Sequence, residues 1–393
     1  MKICAVICEY NPFHLGHRHQ LSEMRERGAV IAVMSGSFTQ RGDAALISKY
    51  ERAEAAVACG ADLVLELPFP YSASPAERFA AAGVDIVDAL GCVDELCFGS
   101  ESGETLRLVA AAENSMRADF REALAARLAA GHEIPWRAAF AEVYAERFGE
   151  TVFDGSNDIL AVSYIRRLIE KNSAVRPVAL RRIGEHYNGG GSEEFLSASS
   201  IRGLLARGDL EDALRAVPPA MARKLREAVE TGRLAKSRLL YPLFASLMRS
   251  GRTANVPDVP EELASRMADA ALHARDMEEF LASATTKRYS ASRVRRALLY
   301  MLLNVSDADI AGVAYTTVLA ANARGRELLA TMRKTAKIRV VTKPADALIE
   351  KENENVARAA SLAARADSIW ELLCGNPRDG AAMVRERPRI ENT

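Results

Sequence analysis

Three of the six histidines in this chain fall within six residues: His14, His17 and His19 in the segment EYNPFHLGHRHQL (Glu9 to Leu21). The segment follows KICAVIC (Lys2 to Cys8), a short apolar run that reads as a buried strand. Residues from His17 to about Arg27 read as a helix. A helix start carries unpaired N–H groups and partial positive charge, so it favours phosphate. Two imidazoles there, on either side of Gly16, can donate to phosphate oxygens and stabilise charge developing on phosphorus. Pro12 stiffens the turn, and Gly16 lets a ligand approach the backbone. A polar turn with surface histidines is the plainer alternative.

The elements that would position this turn follow an α/β pattern. VIAVM (Val30 to Met34), Ala61 to Leu67 and Glu95 to Phe98 read as further strands, with a helix from Ser48 to about Cys59. Strands alternating with helices of this length predict βαβ units and a doubly wound parallel sheet. Gly103 to about Lys171 reads as mostly helical, and Arg176 to Ile183 as one more strand. A Gly-rich loop (Asn188 to Phe195) then leads into a helix at SASSIRGLL (Ser197 to Leu205). Beyond Gly208 helices are expected almost throughout. The expected organisation is an α/β domain over residues 1–205 and a mostly α-helical domain over 206–393.

Composition narrows the class. The 393 residues carry 52 Lys plus Arg against 52 Asp plus Glu, with 49% hydrophobic and 26% charged. These values exclude a disordered chain, a collagen-like chain and an extreme polyion. The longest apolar stretch of the second half, Ala297 to Val305, is about half a bilayer span. The N-terminal apolar run is broken at Glu9, too early for a signal peptide. Cys4, Cys8, Cys59, Cys92, Cys97 and Cys374 form no CxxC pair and read as reduced thiols in a cytoplasmic protein, with no metal-ligand set.

HLGH resembles the HxGH signature of the nucleotidyltransferase superfamily, shared in looser form with class I aminoacyl-tRNA synthetases. SASSIR (Ser197 to Arg202) resembles that superfamily's second motif, SSTxIR. The resemblance implies a Rossmann-like, HIGH-type domain that binds ATP. Ser197 and Ser199 would offer hydroxyls to the phosphates, and Arg202 would neutralise leaving pyrophosphate; a Ser cap with a solvated Arg is the alternative. A narrower likeness extends along nearly the whole chain. EYNPFHLGH, SGSFTQRGDAA (Ser35 to Ala45), GADLVLELPFPYS (Gly60 to Ser72), CFGSE (Cys97 to Glu101), GSNDIL (Gly155 to Leu160), RRIGEHYN (Arg181 to Asn188), TKRYSASRVRRALLYMLLN (Thr286 to Asn304) and YTTVLAANARGRELL (Tyr315 to Leu329) resemble the bacterial tRNA(Met) cytidine acetate ligase family.

That resemblance implies a ligase. ATP and acetate would give acetyl-adenylate and pyrophosphate, and the acetyl group would pass to N4 of the wobble cytidine (C34) of elongator tRNA(Met). The ATP contacts it implies are Ile7, Cys8, Glu9, Tyr10, Asn11, Pro12, Phe13, His14, Leu15, Gly16, His17, Arg18, His19 and Gln20 in the first turn. Beyond the turn they are Gly99, Asn157, Arg182 and Ile183. His14, His17 and Arg202 are the catalytic candidates. Magnesium would ride on the ATP phosphates, with no protein ligand named. Arg41, Asp43 and Lys49 follow the second strand, where a doubly wound sheet faces its crevice, and are candidates for holding acetate. Between Lys287 and Lys343 twelve basic residues face three acidic ones, a net +9 that leaves −9 for the rest. Lys287, Arg288, Arg293, Arg295, Arg296, Arg324, Arg326 and Lys334 are the tRNA-binding candidates, with Tyr289 placed to stack on an unpaired base. The alternative function is a metabolite adenylyltransferase that makes a dinucleotide from ATP and a phosphorylated small molecule. No protein partner and no membrane are implied.

Overall fold

The apolar run after Lys2 forms strand β1 (Ile3–Cys8). Its alternate side chains enter two different cores: Ile3, Ala5 and Ile7 pack on one face, Cys4 and Val6 on the other. A strand covered on both faces shows no polar alternation, which is why the run reads as continuous. β2 (Ala29–Ser35) and β3 (Leu63–Leu67) are buried at every position. β4 (Glu95–Ser100) and β5 (Arg176–Arg181) complete a parallel unit in the spatial order β5-β4-β1-β2-β3. The coordinates are a computed structural model describing residues 1–130, 134, 136–149, 155–182, 195–252 and 255–391.

Helices α1 (Leu15–Arg27), α2 (Lys49–Ala58) and α3 (Ala76–Ala89) connect the first four strands. After β3 the chain crosses back and places β4 beside β1. The winding therefore reverses between β1 and β4. Open sheets of this kind collect ligands outside the carboxyl ends of the strands at such a reversal. HLGH follows the end of β1, and Gly99 is the penultimate residue of β4, so both sit at that point. Between β4 and β5 the chain forms α4 (Thr105–Met116), α5 (Ala118–Ala130), α6 (Trp136–Phe148) and α7 (Ser156–Glu170); α8 (Ala198–Arg207) follows β5.

The expectation of helices almost throughout beyond Gly208 needs correction. Helices α9 (Leu210–Arg215), α10 (Pro219–Glu230), α11 (Leu240–Arg249), α12 (Glu261–His273), α13 (Met277–Ala284) and α14 (Ala291–Leu303) come first. Then β6 (Tyr315–Ala321) joins the sheet antiparallel to β3. Seven buried positions with Thr316, Thr317 and Val318 in sequence suit a pleated, two-sided environment better than a helix. α15 (Ala323–Thr335), β7 (Arg339–Val341), α16 (Pro344–Leu348), α17 (Glu354–Leu372), α18 (Ala382–Arg385) and β8 (Arg389–Ile390) follow, with β7 and β8 both parallel to β6.

A third core, with Phe244, Tyr289, Tyr300 and Trp370, lies among these helices. Hydrogen bonds fasten it to the sheet and to the loop after β2. Trp370 donates its indole N–H to the Ala45 carbonyl at 2.7 Å. Lys49, only 3% exposed, donates to Glu66 at 2.7 Å and to Asp367 of α17 at 2.8 Å. Removing one member of a buried charge cluster leaves the others uncompensated, at a cost of about 3–5 kcal/mol. Lys49→Met should therefore lower the unfolding free energy by about that much, read from denaturant titration. A variant as stable as the parent would show that the cluster holds nothing together.

Candidate active site

His14 is the N-cap of α1 and His17 is its third residue. The two rings cap the helix reciprocally. The Gly16 N–H donates to His14 Nδ1 at 3.1 Å, and the His14 N–H donates to His17 Nδ1 at 3.2 Å. Ser/Thr with Glu usually makes such a box; here imidazole nitrogens do. Because each Nδ1 accepts, each neutral ring carries its proton on Nε2. The rings stack at 3.6 Å between centroids, and Tyr10 and Phe13 pack against His17. Burial pushes His14 down to about 4, with Arg182 adding to the shift. His17 is held well below the usual imidazole range, by burial first and then by His14 and Arg182. The pair is thus neutral at pH 7 and presents two N–H donors at the positive end of a helix.

The turn that delivers these rings is held from below. Asn11 accepts the Leu46 N–H at 2.8 Å, and its own carbonyl accepts Arg202 of α8 at 2.8 Å. Glu9 accepts the Gln40 N–H at 2.7 Å, and burial raises its carboxyl above the usual range. Arg52 of α2 is fully buried. Its guanidinium donates to the carbonyls of Glu9 (2.6 Å), Ser35 (3.1 Å), Ile47 (3.4 Å) and Gly36. One rigid fork therefore clamps the ends of β1 and β2 together. Burial lowers its pKa to about 10, so it stays charged. Nothing in the pattern KYERAEAA distinguishes this arginine from a solvated one, so sequence reasoning missed it.

The opposite wall comes from β4, β5 and α7. Arg182 lies across Gly99, where an added Cβ would sit 3.2 Å from Arg182 Cγ. The glycine thus gives room first to this side chain. Arg182 reaches Asn157 Oδ1 at 3.4 Å, and Asn157 Nδ2 donates to Glu101 at 2.6 Å. Glu101 also accepts the N–H groups of Asn157 and Asp158, so a carboxylate from the β4 end caps α7. Asp158 returns the contact by accepting from Ser100 Oγ and the Glu101 N–H. Sequence reasoning named Asn157 but missed Glu101 as its organiser.

Among the described residues, His14, Gly16, His17, His19, Gln20, Gly99 and Arg182 line one cleft. Ser197 caps α8 through the Ser200 N–H at 3.1 Å, and Arg202 reaches Ser199 Oγ at 3.2 Å, which brings this group to the first turn. Ile183 lies outside the described residues. Ile7 faces the core against Gly83, and the Cys8 thiol is pushed up by burial. Leu15 donates its N–H to the Ala216 carbonyl, Arg18 is exposed, and His19 meets Glu23 at 2.9 Å.

Several candidates stand elsewhere. Lys49 is not offered to the crevice, since its ammonium is buried between Glu66 and Asp367. Arg41 is exposed, and Asp43 meets Arg295 at 3.4 Å. The basic segment is not one surface. Arg288 pairs with Glu262, and Arg293, Arg295 and Arg296 stand by the loop after β2 or by Asp258. Arg324 lies 3.9 Å from Asp62, at the amino end of β3, on the same helix as exposed Arg326 and Lys334. Tyr289 is a core residue bonded to Glu262, so its ring is not available for base stacking. Lys287 is exposed. Among the described residues one trio of possible metal ligands, Cys4, Glu95 and Cys97, sits at the far end of the sheet. Glu95 there already meets Lys2, Arg27 and Arg176.

A neutral imidazole pair at a helix start, facing an arginine across the winding reversal of a parallel sheet, is the arrangement of a nucleotidyl-transfer site. The model of the HIGH Nucleotidyl Transferase family matches residues 1–382, so the chain belongs to that class. Within it, the chain belongs to the tRNA(Met) cytidine acetate ligase family. It is 32% identical over 357 residues to the tRNA(Met) cytidine acetate ligase of Fervidobacterium nodosum, covering 87% of this chain and 84% of the relative. It is 35% identical over 361 residues to that of Syntrophotalea carbinolica, covering 87% and 85%. A crystal structure of Thermotoga maritima TmcAL bound with alpha-thio ATP superposes with a TM-score of 0.88 at 27% identity, covering 99% of both chains.

The depressed histidine pKa sets a pH dependence. His14 falls from 6.5 in an unfolded chain to about 4 here. A group whose folded pKa is lowered contributes fully above its unfolded value and loses that contribution as pH falls toward the folded one. Stability should therefore drop between pH 6.5 and 4, and His14→Ala should flatten part of that slope in denaturant midpoints. Imidazole ¹⁵N shifts at pH 7 should report His14 as neutral with its proton on Nε2. A His14 ring titrating near 6.5 would contradict the geometry.

Proposed function

We propose that this chain is an ATP-dependent ligase that acetylates N4 of the wobble cytidine of elongator tRNA(Met). The observation that carries the reading is the reciprocal histidine cap, with two Nε2–H donors facing Arg182 at the sheet's reversal point. ATP would lie with its phosphates over the start of α1. An acetate oxygen attacks the α-phosphorus, and the bond to the bridging α–β oxygen breaks. His14 and His17 would donate to the α-phosphate oxygens as charge grows there, and Arg202 with the Ser197–Ser199 hydroxyls would take the departing pyrophosphate. The cytidine N4 amine then attacks the acetyl carbonyl, AMP leaves and the amine loses a proton. No covalent enzyme intermediate is needed; positioning and electrostatics supply the rate.

Magnesium would be carried on the ATP phosphates. Among the described residues the one carboxylate lining the cleft is Glu23, already held by His19, so the chain offers no acidic cage. Half-buried basic residues of α14 and exposed ones of α15 would neutralise RNA phosphates. No helix among the described residues is long and apolar enough to cross a membrane; the reading assigns the protein to the cytoplasm, where its tRNA would be.

Two measurements test this. Pyrophosphate exchange into ATP should depend on acetate, and nucleosides from tRNA incubated with ATP and labelled acetate should contain N4-acetylcytidine. Exchange that proceeds equally without carboxylate would refute the ligase. His14→Ala and His17→Ala should each lower exchange by about 10²–10³-fold, the usual loss for an oxyanion donor.

Arg52 is a positioning residue by this mechanism. Arg52→Lys keeps the charge but replaces the fork with a single ammonium. Exchange kcat should fall about 10²-fold, with a smaller change in KM for ATP. An unchanged kcat with a lowered melting temperature would reduce Arg52 to a stability role.

A further inference from the structure

A second pocket, of about 290 Å³, opens on the other side of the loop that holds Glu9. Its walls are apolar: Pro75, Val259, Ala297 and the ring of Tyr300. Arg293, Arg296 and Asp258 complete its lining. Two of the polar groups are already matched. Asp258 is gripped by both terminal nitrogens of Arg78, and the Tyr300 hydroxyl shares a hydrogen bond with Ser74 Oγ at 2.8 Å.

The two arginines are not matched. Among the described residues Arg293 reaches only the Asp258 carbonyl, at 3.4 Å, and lies 5.1 Å over the Tyr289 ring, and Arg296 reaches only the Gln40 carbonyl, at 3.2 Å. Among the described residues neither has a carboxylate within ion-pair distance, whereas their neighbours Arg288 and Arg295 do. A guanidinium taken partly out of water without a counter-charge carries an uncompensated desolvation cost. Burial lowers the Arg296 pKa, offset only in part by Tyr300 and the Asp258 carboxylate. Each arginine has five N–H donors and spends one on a carbonyl. An anion with a flat apolar face satisfies this pocket: phosphate on the arginines, ring on Pro75 and Ala297.

We propose that this pocket holds one nucleotide of the unpaired RNA strand beside the nucleotide being modified. Its place in the fold supports that occupant. The backbone of Gln40 is shared by both sites, its N–H given to Glu9 and its carbonyl accepting from Arg296. A strand seated here is separated by one residue, Gln40, from Glu9 at the start of the turn that carries His14 and His17. The inference rests on the tRNA reading above, and refines it: Arg288 and Arg295, spent on Glu262 and Asp43, contribute little.

The test uses the full chain and unmodified tRNA(Met) transcript, with affinity measured across a salt series. Arg293→Gln and Arg296→Gln should each weaken binding about tenfold and reduce the slope of log K against log salt by about one. Arg293→Lys should keep the slope. Arg288→Gln should leave both nearly unchanged. An anticodon-loop oligonucleotide should compete, and duplex RNA should not. Wild-type affinity and slope in both Gln variants, with unchanged melting temperatures, would overturn the pocket; so would equal competition by duplex. Absent acetate-dependent exchange in the unaltered protein would instead overturn the ligase reading, so the two failures are distinct.

Discussion

Two backbone N–H groups given to two imidazole Nδ1 atoms set the chemistry of this protein. Those bonds place His14 and His17 in one stack and fix which nitrogen of each carries the proton. They make protonation costly, because a proton on Nδ1 would break a helix cap as well as charge a buried ring. A cap that elsewhere serves only to start a helix here also selects a tautomer. Everything beneath the turn keeps that cap in register: Asn11 against Leu46, Arg202 against Asn11, and Arg52 against Glu9.

The support is layered by distance from the cleft. Arg52 joins two strand ends through carbonyls alone, without a carboxylate among its direct partners in the described residues. Lys49, nearby on the same helix, joins the sheet to α17 through Glu66 and Asp367. The two cations of α2 thus divide the work. One shapes the turn that carries His14 and His17, and the other anchors the helical half that carries Arg293 and Arg296. A strained or charged group of this kind is tolerated because its neighbours over-determine it.

Much of this was legible in the sequence. The histidine cluster could be read because its signal is local: a short motif after a buried strand, at a place where parallel sheets gather ligands. Arg52 could not, since one arginine among ERAEAA matches any solvated helix face. In the sequence Lys49 reads as an anion holder, because its partner Asp367 lies 318 residues away. Tyr289 sits amid basic residues in sequence, yet its ring turns into the core. YTTVLAA reads as part of a helical region, because a short apolar run does not by itself separate strand from buried helix. Local chemistry was visible; long-range pairing was not.

β6 has a consequence for how the protein is made. Thr316 bonds the Glu66 carbonyl from 250 residues further along the chain. Domains form from the amino end as a chain leaves the ribosome. The parallel unit therefore emerges with one side of β3 bare, a row of unsatisfied N–H and C=O groups along an apolar strand. Such an edge is a template for pairing with other chains. It stays open until Tyr315–Ala321 has been synthesised. The hazard for this protein thus lies in biosynthesis rather than in its finished state, and it ends when β6 arrives.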